Sequence, residues 1–347
     1  MKKEYDKIFI THIPSFYKIN LYNQIAKQQK IFVIFLFSDT SEKRMNDFLP
    51  LNRSNFEYRV LATDTKLLSA RLKVQNYIAL LLLLGRLNAT KVFVNGWELL
   101  AFWVPLLIIK KSKLCVVVES FGQNSEGSLL LRIAKRLFLT CVSECYLPYK
   151  RHERYVKELG FKGNIKYTYG VGIINKNADT KSSNILRTID GPYFLFVGRL
   201  VDAKNINHMV SLMGSCPEHC KFVVVGEGDQ HNVTLKESKN IIYLGALESN
   251  IVNELMKSAS AVLLLSKHEA WGLVVEEALY VNTPVLLSGN VGCSDFYQGL
   301  NGVHIMSEDL GQREFNAFIS SLIDYKPVNT LDFIEKKDKW QVGAYNC

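Results

Sequence analysis

The chain has no stretch that reads as a membrane span or a secretory leader. Its apolar run Tyr77–Leu84 is eight residues long, against the ~20 that a helix needs to cross a bilayer. Near the start the apolar residues amount to Ile8-Phe9-Ile10, with Pro14 soon after, too few for the core of a signal peptide. A cytoplasmic location is expected. A disulfide framework is also absent: seven cysteines, an odd number, are scattered along the sequence. The cluster Cys216-Pro217-Glu218-His219-Cys220 offers two thiols and an imidazole, but no second Cys/His pair answers it with a fourth ligand, so no metal site is expected. There is no internal repeat and no low-complexity tract. Nor is there a recognition helix, finger or aromatic platform, so no nucleic-acid partner is expected.

What is present is a 347-residue chain, 48% hydrophobic and 22% charged, the composition of a globular protein and the length of two domains. Its net charge of +9 is unevenly spread. Residues 1–174 hold 27 Lys and Arg against 13 Asp and Glu, a balance of +14, while the remainder holds 15 against 20, a balance of −5. A strongly basic half points to an anionic partner such as a phospholipid surface, a phosphorylated lipid or nucleic acid.

Short apolar runs alternate with longer periodic segments. Ile8–Thr11, Phe32–Phe37, Tyr58–Leu61, Val92–Val94 and Cys115–Val118 read as buried parallel strands, with helices such as Tyr17–Gln28 and Val74–Leu84 between them. A second series follows a polar stretch: Tyr193–Val197, Phe222–Val225, Ile241–Leu244, Ala261–Leu265 and Pro284–Leu287. The fold class expected is α/β, with an N-terminal domain over 1–174, a linker over 175–192, a C-terminal domain over 193–325 and a terminal segment over 326–347. That last segment is expected to pack back on the first domain. Two such domains would leave an interdomain cleft at the carboxyl ends of their strands, where open α/β sheets bind ligands.

Two segments have a bearing on membranes. Val74–Leu84 reads as a core helix. Leu129–Leu139 places Arg132, Lys135 and Arg136 on one helical face opposite apolar residues. That pattern is shared by a packed helix with a solvated basic face and by a helix lying in an anionic interface.

The chemistry-bearing residues gather in the second half, at successive strand ends. Gly198 follows the strand Tyr193–Val197, and Arg199 and Lys204 flank the start of the next helix, two cations suited to a diphosphate. Phe222–Val225 runs into Gly226-Glu227-Gly228, where glycines let backbone approach a ligand. Ile241–Leu244 ends in Gly245. Then comes Glu269-Ala270-Trp271-Gly272-Leu273-Val274-Val275-Glu276-Glu277. Here Glu269 ends a strand–loop unit, and Glu277 sits about two turns into a helix beginning near Gly272. The amides of Leu273 and Val274 at the helix start would turn their positive dipole toward phosphate.

Gly198-Arg199-Leu200 with Lys204-Asn205, Gly226-Glu227-Gly228, Glu269 with Gly272–Val275 and Glu277–Leu279, and Thr283-Pro284-Val285 together resemble glycosyltransferase family 4, the glycosyl transferases group 1. The resemblance is most specific over residues 193–303. It implies a GT-B architecture of two Rossmann-like domains and a retaining transfer of sugar from a UDP- or GDP-sugar to a hydroxyl. Arg199, Lys204 and Glu269 would be catalytic: the two cations on the donor diphosphate, the carboxylate on the transferred sugar. Glu277 would hold the ribose, with Gly198, Gly226, Gly228, Gly245, Gly272, Leu273 and Val274 around the nucleotide. No metal or other cofactor is implied, because cationic side chains and helix dipole act on the leaving phosphate.

Two features depart from the family pattern. Thr11–Tyr17 lacks the glycines of the phosphate-facing loop after the first strand, and Val116–Gly122 lacks the histidine of the comparable strand end. Glu119, Ser120 and His12 are the acceptor-side candidates. The basic, apolar-rich N-terminal half suits a lipid-linked saccharide in surface polysaccharide assembly, with peripheral association at the inner membrane face. Sugar-nucleotide epimerases and sugar phosphorylases share this fold and are the alternative reading.

Overall fold

The computed structural model describes residues 2–38, 51–62, 72–122, 129–176, 184–214, 216, 220–229, 240–307, 311–323 and 329–346. The chain divides into two compact units, residues 1–173 with 338–347, and residues 174–337.

The first unit is a seven-stranded sheet of β1 (Lys3–Thr11), β2 (Ile31–Phe37), β3 (Glu57–Ala62), β4 (Leu87–Asn95), β5 (Leu114–Val117), β6 (Glu144–Leu147) and β7 (Asn164–Tyr167). All pairings are parallel, in the order β3-β2-β1-β4-β5-β6-β7. Every residue of β2, Ile-Phe-Val-Ile-Phe-Leu-Phe, is buried, as expected of a strand covered on both faces. The period of two then sorts residues between two cores. Ile8, Ile10, Ile34 and Leu36 join one, and Phe9, Val33 and Phe35 the other. Helix α1 (Phe16–Ala26) seals the second core through Ile19, Tyr22 and Ile25. There Phe9 stacks on Phe93 with ring centroids 4.8 Å apart, and the C-terminal Tyr345 stacks on Tyr146 at 5.2 Å. Helices α2 (Val74–Arg86), α3 (Val104–Ile108), α4 (Leu129–Thr140) and α5 (Lys150–Glu158) follow in the chain; α2, α4 and α5 supply Leu80, Phe138 and Val156 to the first core.

The second unit is a six-stranded parallel sheet of β8 (Tyr193–Val197), β9 (Lys221–Val225), β10 (Ile241–Gly245), β11 (Ala261–Leu264), β12 (Val285–Ser288) and β13 (Val303–Met306). Its order is β10-β9-β8-β11-β12-β13. Helices α6 (Ile206–Met213), α7 (Ser249–Ser258), α8 (Leu273–Tyr280), α9 (Ser294–Tyr297) and α10 (Gln312–Ile323) connect or follow the strands. Helix α11 (Leu331–Tyr345) starts in this unit, and its turns from Asp338 onward belong to the first. Among the described residues no helix is long and apolar enough to cross a membrane.

Each apolar run read as a strand corresponds to one, and β1 and β4 extend further toward their amino ends. Three strands went unread: β6, β7 and β13, each four residues long. Asn-Ile-Lys-Tyr and Val-His-Ile-Met lie at sheet edges, where one side of the strand need not be apolar. Two readings need correction. Helix α8 begins at Leu273, so Glu277 is its fifth residue, little more than one turn in. In α4 the three cations do not share a solvent face. The Lys135 ammonium turns inward, donating to the Tyr155 hydroxyl at 3.0 Å and lying 6.0 Å from the centroid of the Trp97 ring. Part of the polar linker, residues 177–183, and residues 217–219 of the Cys/His cluster lie outside the described residues.

Candidate functional site

A doubly wound sheet binds ligands where its strand order reverses, because the connections on either side diverge there and leave a crevice at the carboxyl ends. In the second sheet that point lies between β8 and β11. Gly198 and Arg199 leave the end of β8, while Ser266 to Glu269 follow that of β11.

The two segments are stitched together. After Arg199 the chain makes a short 3-10 turn, Asp202–Lys204, and Asn205 then adopts a left-handed conformation (φ 59°). The Asn205 side-chain Nδ2 donates to Leu265 O at 3.2 Å, and the Lys267 N–H donates to Ala203 O at 2.9 Å. This brings the Lys204 ammonium onto the Glu269 carboxylate, with both side chains largely buried. Burial, and then the charge of Arg199, push the Lys204 amine down to about 8. The Glu269 carboxylate in contact with it works in the opposite direction.

A third segment crosses beside them. The Gly198 N–H donates to Val225 O at 3.0 Å, the Leu200 N–H to Glu227 O at 2.9 Å, and the Gly226 N–H to Gly245 O at 2.8 Å. Gly226 has φ +136°, and a Cβ there would stand 1.8 Å from Gly198 O. Only glycine fits, so the expected role of this position in close backbone approach begins with protein against protein. Gly228 lies against Leu200 in the same way.

On the other side, Glu269 is held by the loop after β12. It bridges to Val291, its N–H donates to Asn290 O at 3.3 Å, and its carbonyl accepts from Gly292 N–H at 2.8 Å. A Cβ on Gly292 would meet Ala270 O at 1.9 Å. Gly272 caps α8, and the amides of Leu273 and Val274 in its first turn donate to no described residue. Glu277, half-buried, makes no hydrogen bond or ion pair with any described residue. Burial, and secondarily the neighbouring Glu276, push its carboxyl up to about 7.

Glu276 itself was missed in the sequence. It is fully buried, accepts from the Trp271 indole N–H at 2.6 Å, and pairs with the equally buried Lys337 ammonium of α11 at 2.6 Å. Lys337 is 61 residues away in the chain, so no local pattern announces the pair. It anchors the first turn of α8, the turn that carries the open amides.

The acceptor-side candidates belong to the first unit. Its sheet reverses between β1 and β4, and His12 follows β1 while Glu98 lies just beyond β4. His12 Nε2 is 2.7 Å from Glu98 Oε1. Burial acts to raise the Glu98 carboxyl, but the His12 contact and the Trp97 amide outweigh it and hold the group below the usual range. Glu119 follows β5, pairs with Lys18 of α1, and accepts at its backbone carbonyl from His152 Nε2 at 3.0 Å. Ser120 is exposed beside it and makes no hydrogen bond with a described residue. Gly245, at the end of β10, has φ +68° and open space where a side chain would stand.

Comparison with known proteins adds to this geometry. Residues 178–326, which lie within the second unit, match the family of glycosyl transferases group 1. An uncharacterized glycosyltransferase of Methanocaldococcus jannaschii is 30% identical over 125 residues, which are 33% of this chain and 32% of that protein. The match thus spans about a third of the curated relative. Two solved structures align over nearly the whole chain. The apo form of the lipopolysaccharide outer core galactosyltransferase WaaB has a TM-score of 0.68 at 14% identity, covering 98% of each chain. HepE of Anabaena in complex with UDP and glucose has a TM-score of 0.72 at 12% identity, covering 99% of this chain and 98% of its own. At such identities the likeness is one of fold: two parallel-sheet α/β domains in the GT-B architecture.

Proposed function

We propose that the chain is a retaining glycosyltransferase of family 4, moving a sugar from a nucleoside-diphosphate sugar to a hydroxyl acceptor. The observation that carries this reading is the grouping at the switch point of the second sheet. Arg199 and Lys204, the two open amides of Leu273 and Val274, and the carboxylates Glu269 and Glu277 all come from elements ending there.

A diphosphate suits the two cations and the α8 amides, which need no metal to offset its charge. Charge grows on the leaving phosphate as the glycosidic bond breaks, and preorganised donors aimed at it lower the barrier most. The leaving phosphate oxygen then takes up the acceptor proton on the face from which it departs. Glu277, with no hydrogen bond or ion pair to any described residue, is suited to a ribose diol. Glu269 is suited to the transferred sugar once Lys204 turns to phosphate. UDP and GDP donors both fit, since base recognition through backbone near Gly245 leaves no side-chain signature. The acceptor in this reading is a lipid-linked saccharide of surface polysaccharide synthesis, supported by the basic first half.

The test is a thermal-shift screen with UDP- and GDP-sugars. A donor at 100 times its dissociation constant stabilises the fold by about 2.7 kcal/mol, and no shift with any of them would sink the proposal. Product analysis then separates transfer from its alternatives, since an epimerase needs no acceptor and a phosphorylase consumes inorganic phosphate.

A further inference from the structure

The helices on one face of the first sheet are turned the wrong way for a protein surrounded by water. Helix α4 buries Phe138 and Leu139 against the sheet, while Leu130, Ile133 and Leu137 point outward, Leu130 at 75% exposure. Helix α2 repeats the arrangement: Leu80 and Leu84 face the core, Ile78 and Leu82 the solvent. Between them α3 presents Leu107 at 79% exposure. Tyr77, Leu100, Trp103, Leu107 and Leu137 line a groove of about 590 Å³ that joins the three helices. Scattered exposed leucines need no explanation, but a continuous apolar face of this extent does.

The charges around the face select what covers it. Helices α2, α3 and α4 contain no Asp or Glu. Arg132 and Arg136 are exposed along the flank of the outward leucines of α4, and the exposed Lys110 and Lys111 follow the end of α3. A second copy of this chain would set this face against itself, bringing arginine toward arginine with no carboxylate from the three helices on either side. An anionic bilayer supplies both missing parts, hydrocarbon for the leucines and phosphate for the cations.

We propose that the outer face of α2, α3 and α4 is a docking surface for an anionic lipid bilayer. The helices lie in the interface, with Leu107, Leu130, Ile133 and Leu137 among the acyl chains and Arg132 and Arg136 at the headgroups. This gives a surface to the reading of a lipid-linked acceptor, yet it stands on the first unit alone and is independent of the donor chemistry.

The experiment is flotation of the full chain with phosphatidylcholine vesicles, with and without phosphatidylglycerol, at low and high salt. The wild type should float with phosphatidylglycerol vesicles and be released in part by salt. The double variant Ile133→Asp/Leu137→Asp should lose vesicle affinity by more than about tenfold. Arg132→Glu/Arg136→Glu should lose the preference for anionic lipid. All four positions are exposed, so thermal unfolding and the shift produced by donor should match wild type in both variants. Absence of wild-type flotation, flotation unchanged in the Asp variant, or a dimer in solution that the Asp variant dissolves without any vesicle binding would each overturn the docking surface. If flotation behaves as expected while no sugar nucleotide shifts the melting temperature, the proposed reaction fails and the docking surface stands.

Discussion

The two sheets reverse their strand order at corresponding places, between the first and fourth strands of each unit, yet the strand ends there are built differently. In the first unit the polar side chains meet within the fold: His12 lies against Glu98, and Lys18 pairs with Glu119. In the second, Lys204 lies against Glu269 with Arg199 near enough to depress its amine, and the first amides of α8 donate to no described residue. The same topology therefore yields one strand-end region closed by side-chain pairs and one where two cations stand beside the open amides of a helix start. An incoming diphosphate has electrostatic reason to settle at the second and not at the first. The lesson is that topology marks where a ligand can bind, and the balance of charge at the strand ends decides which ligand does.

The sharpest way to break this contrast is to remove what holds the second region in place. Lys337→Ala removes the ammonium paired with the fully buried Glu276 carboxylate, which costs about 3–5 kcal/mol of stability. Lys18→Ala in the first unit leaves Glu119 with partial access to water and should cost less. Urea unfolding of the two variants measures the difference. Equal losses would mean that the buried pair is no more of an anchor than its counterpart.

Next in size is the loss of function. Arg199→Ala or Lys204→Ala should each lower turnover by about two to three orders of magnitude, the 2.7–4 kcal/mol typical of a preorganised donor to developing charge. His12→Ala should leave the donor-induced thermal shift unchanged, because His12 belongs to the strand ends of the first unit. If turnover in Lys204→Ala stayed within a few-fold of wild type, the assignment of the cations to the leaving phosphate would be wrong.

Much of this asymmetry was readable from the chain, for a physical reason. The second region is assembled from residues that immediately follow strands, so an apolar run marks each position and Gly198, Gly226, Gly245 and Glu269 appear in order. The strands themselves were legible because both faces of a parallel sheet are buried. What stayed hidden depends on contacts distant in sequence. Glu276 looked like one more acidic residue beside Glu277 until α11 brought Lys337 against it. The pairing of His12 with Glu98 joins residues that follow two strands, β1 and β4, with β2 and β3 between them in the chain. The inward turn of Lys135 in α4 was hidden for a related reason: periodicity separates apolar from basic residues, but it does not say which of them meets the distant Tyr155.

A smaller effect follows from the pKa of Lys204. Free in the site, its amine titrates near about 8, and a bound diphosphate favours the charged form. Donor affinity should therefore weaken as the pH rises above about 8, falling by at most roughly tenfold per pH unit. Calorimetric titration across pH 7 to about 9.5 reads this directly. An affinity flat over that range would mean that Lys204 does not meet the phosphates.

The last and smallest effect concerns Glu277, where the requirements of binding and stability oppose each other. A carboxyl raised from 4.5 to about 7 holds its proton in the folded chain over a pH range where the unfolded chain has released it. Its contribution to stability is fully present below pH 4.5 and is lost as the pH rises through about 7. Above that pH the folded protein carries a poorly solvated carboxylate with no partner among the described residues, at a cost of about 1–2 kcal/mol once its partial exposure is allowed for. Glu277→Gln removes the titration. The variant should melt at the same temperature as wild type near pH 4.5 and at a higher one near pH 8, while its donor-induced shift shrinks. Saturating donor should narrow the difference at pH 8, because ribose hydroxyls would supply the missing partners to the wild-type carboxylate. If the two proteins melted alike across the whole range, Glu277 would be an ordinary solvated carboxylate, and the contrast between the two strand ends would rest on Arg199 and Lys204 alone.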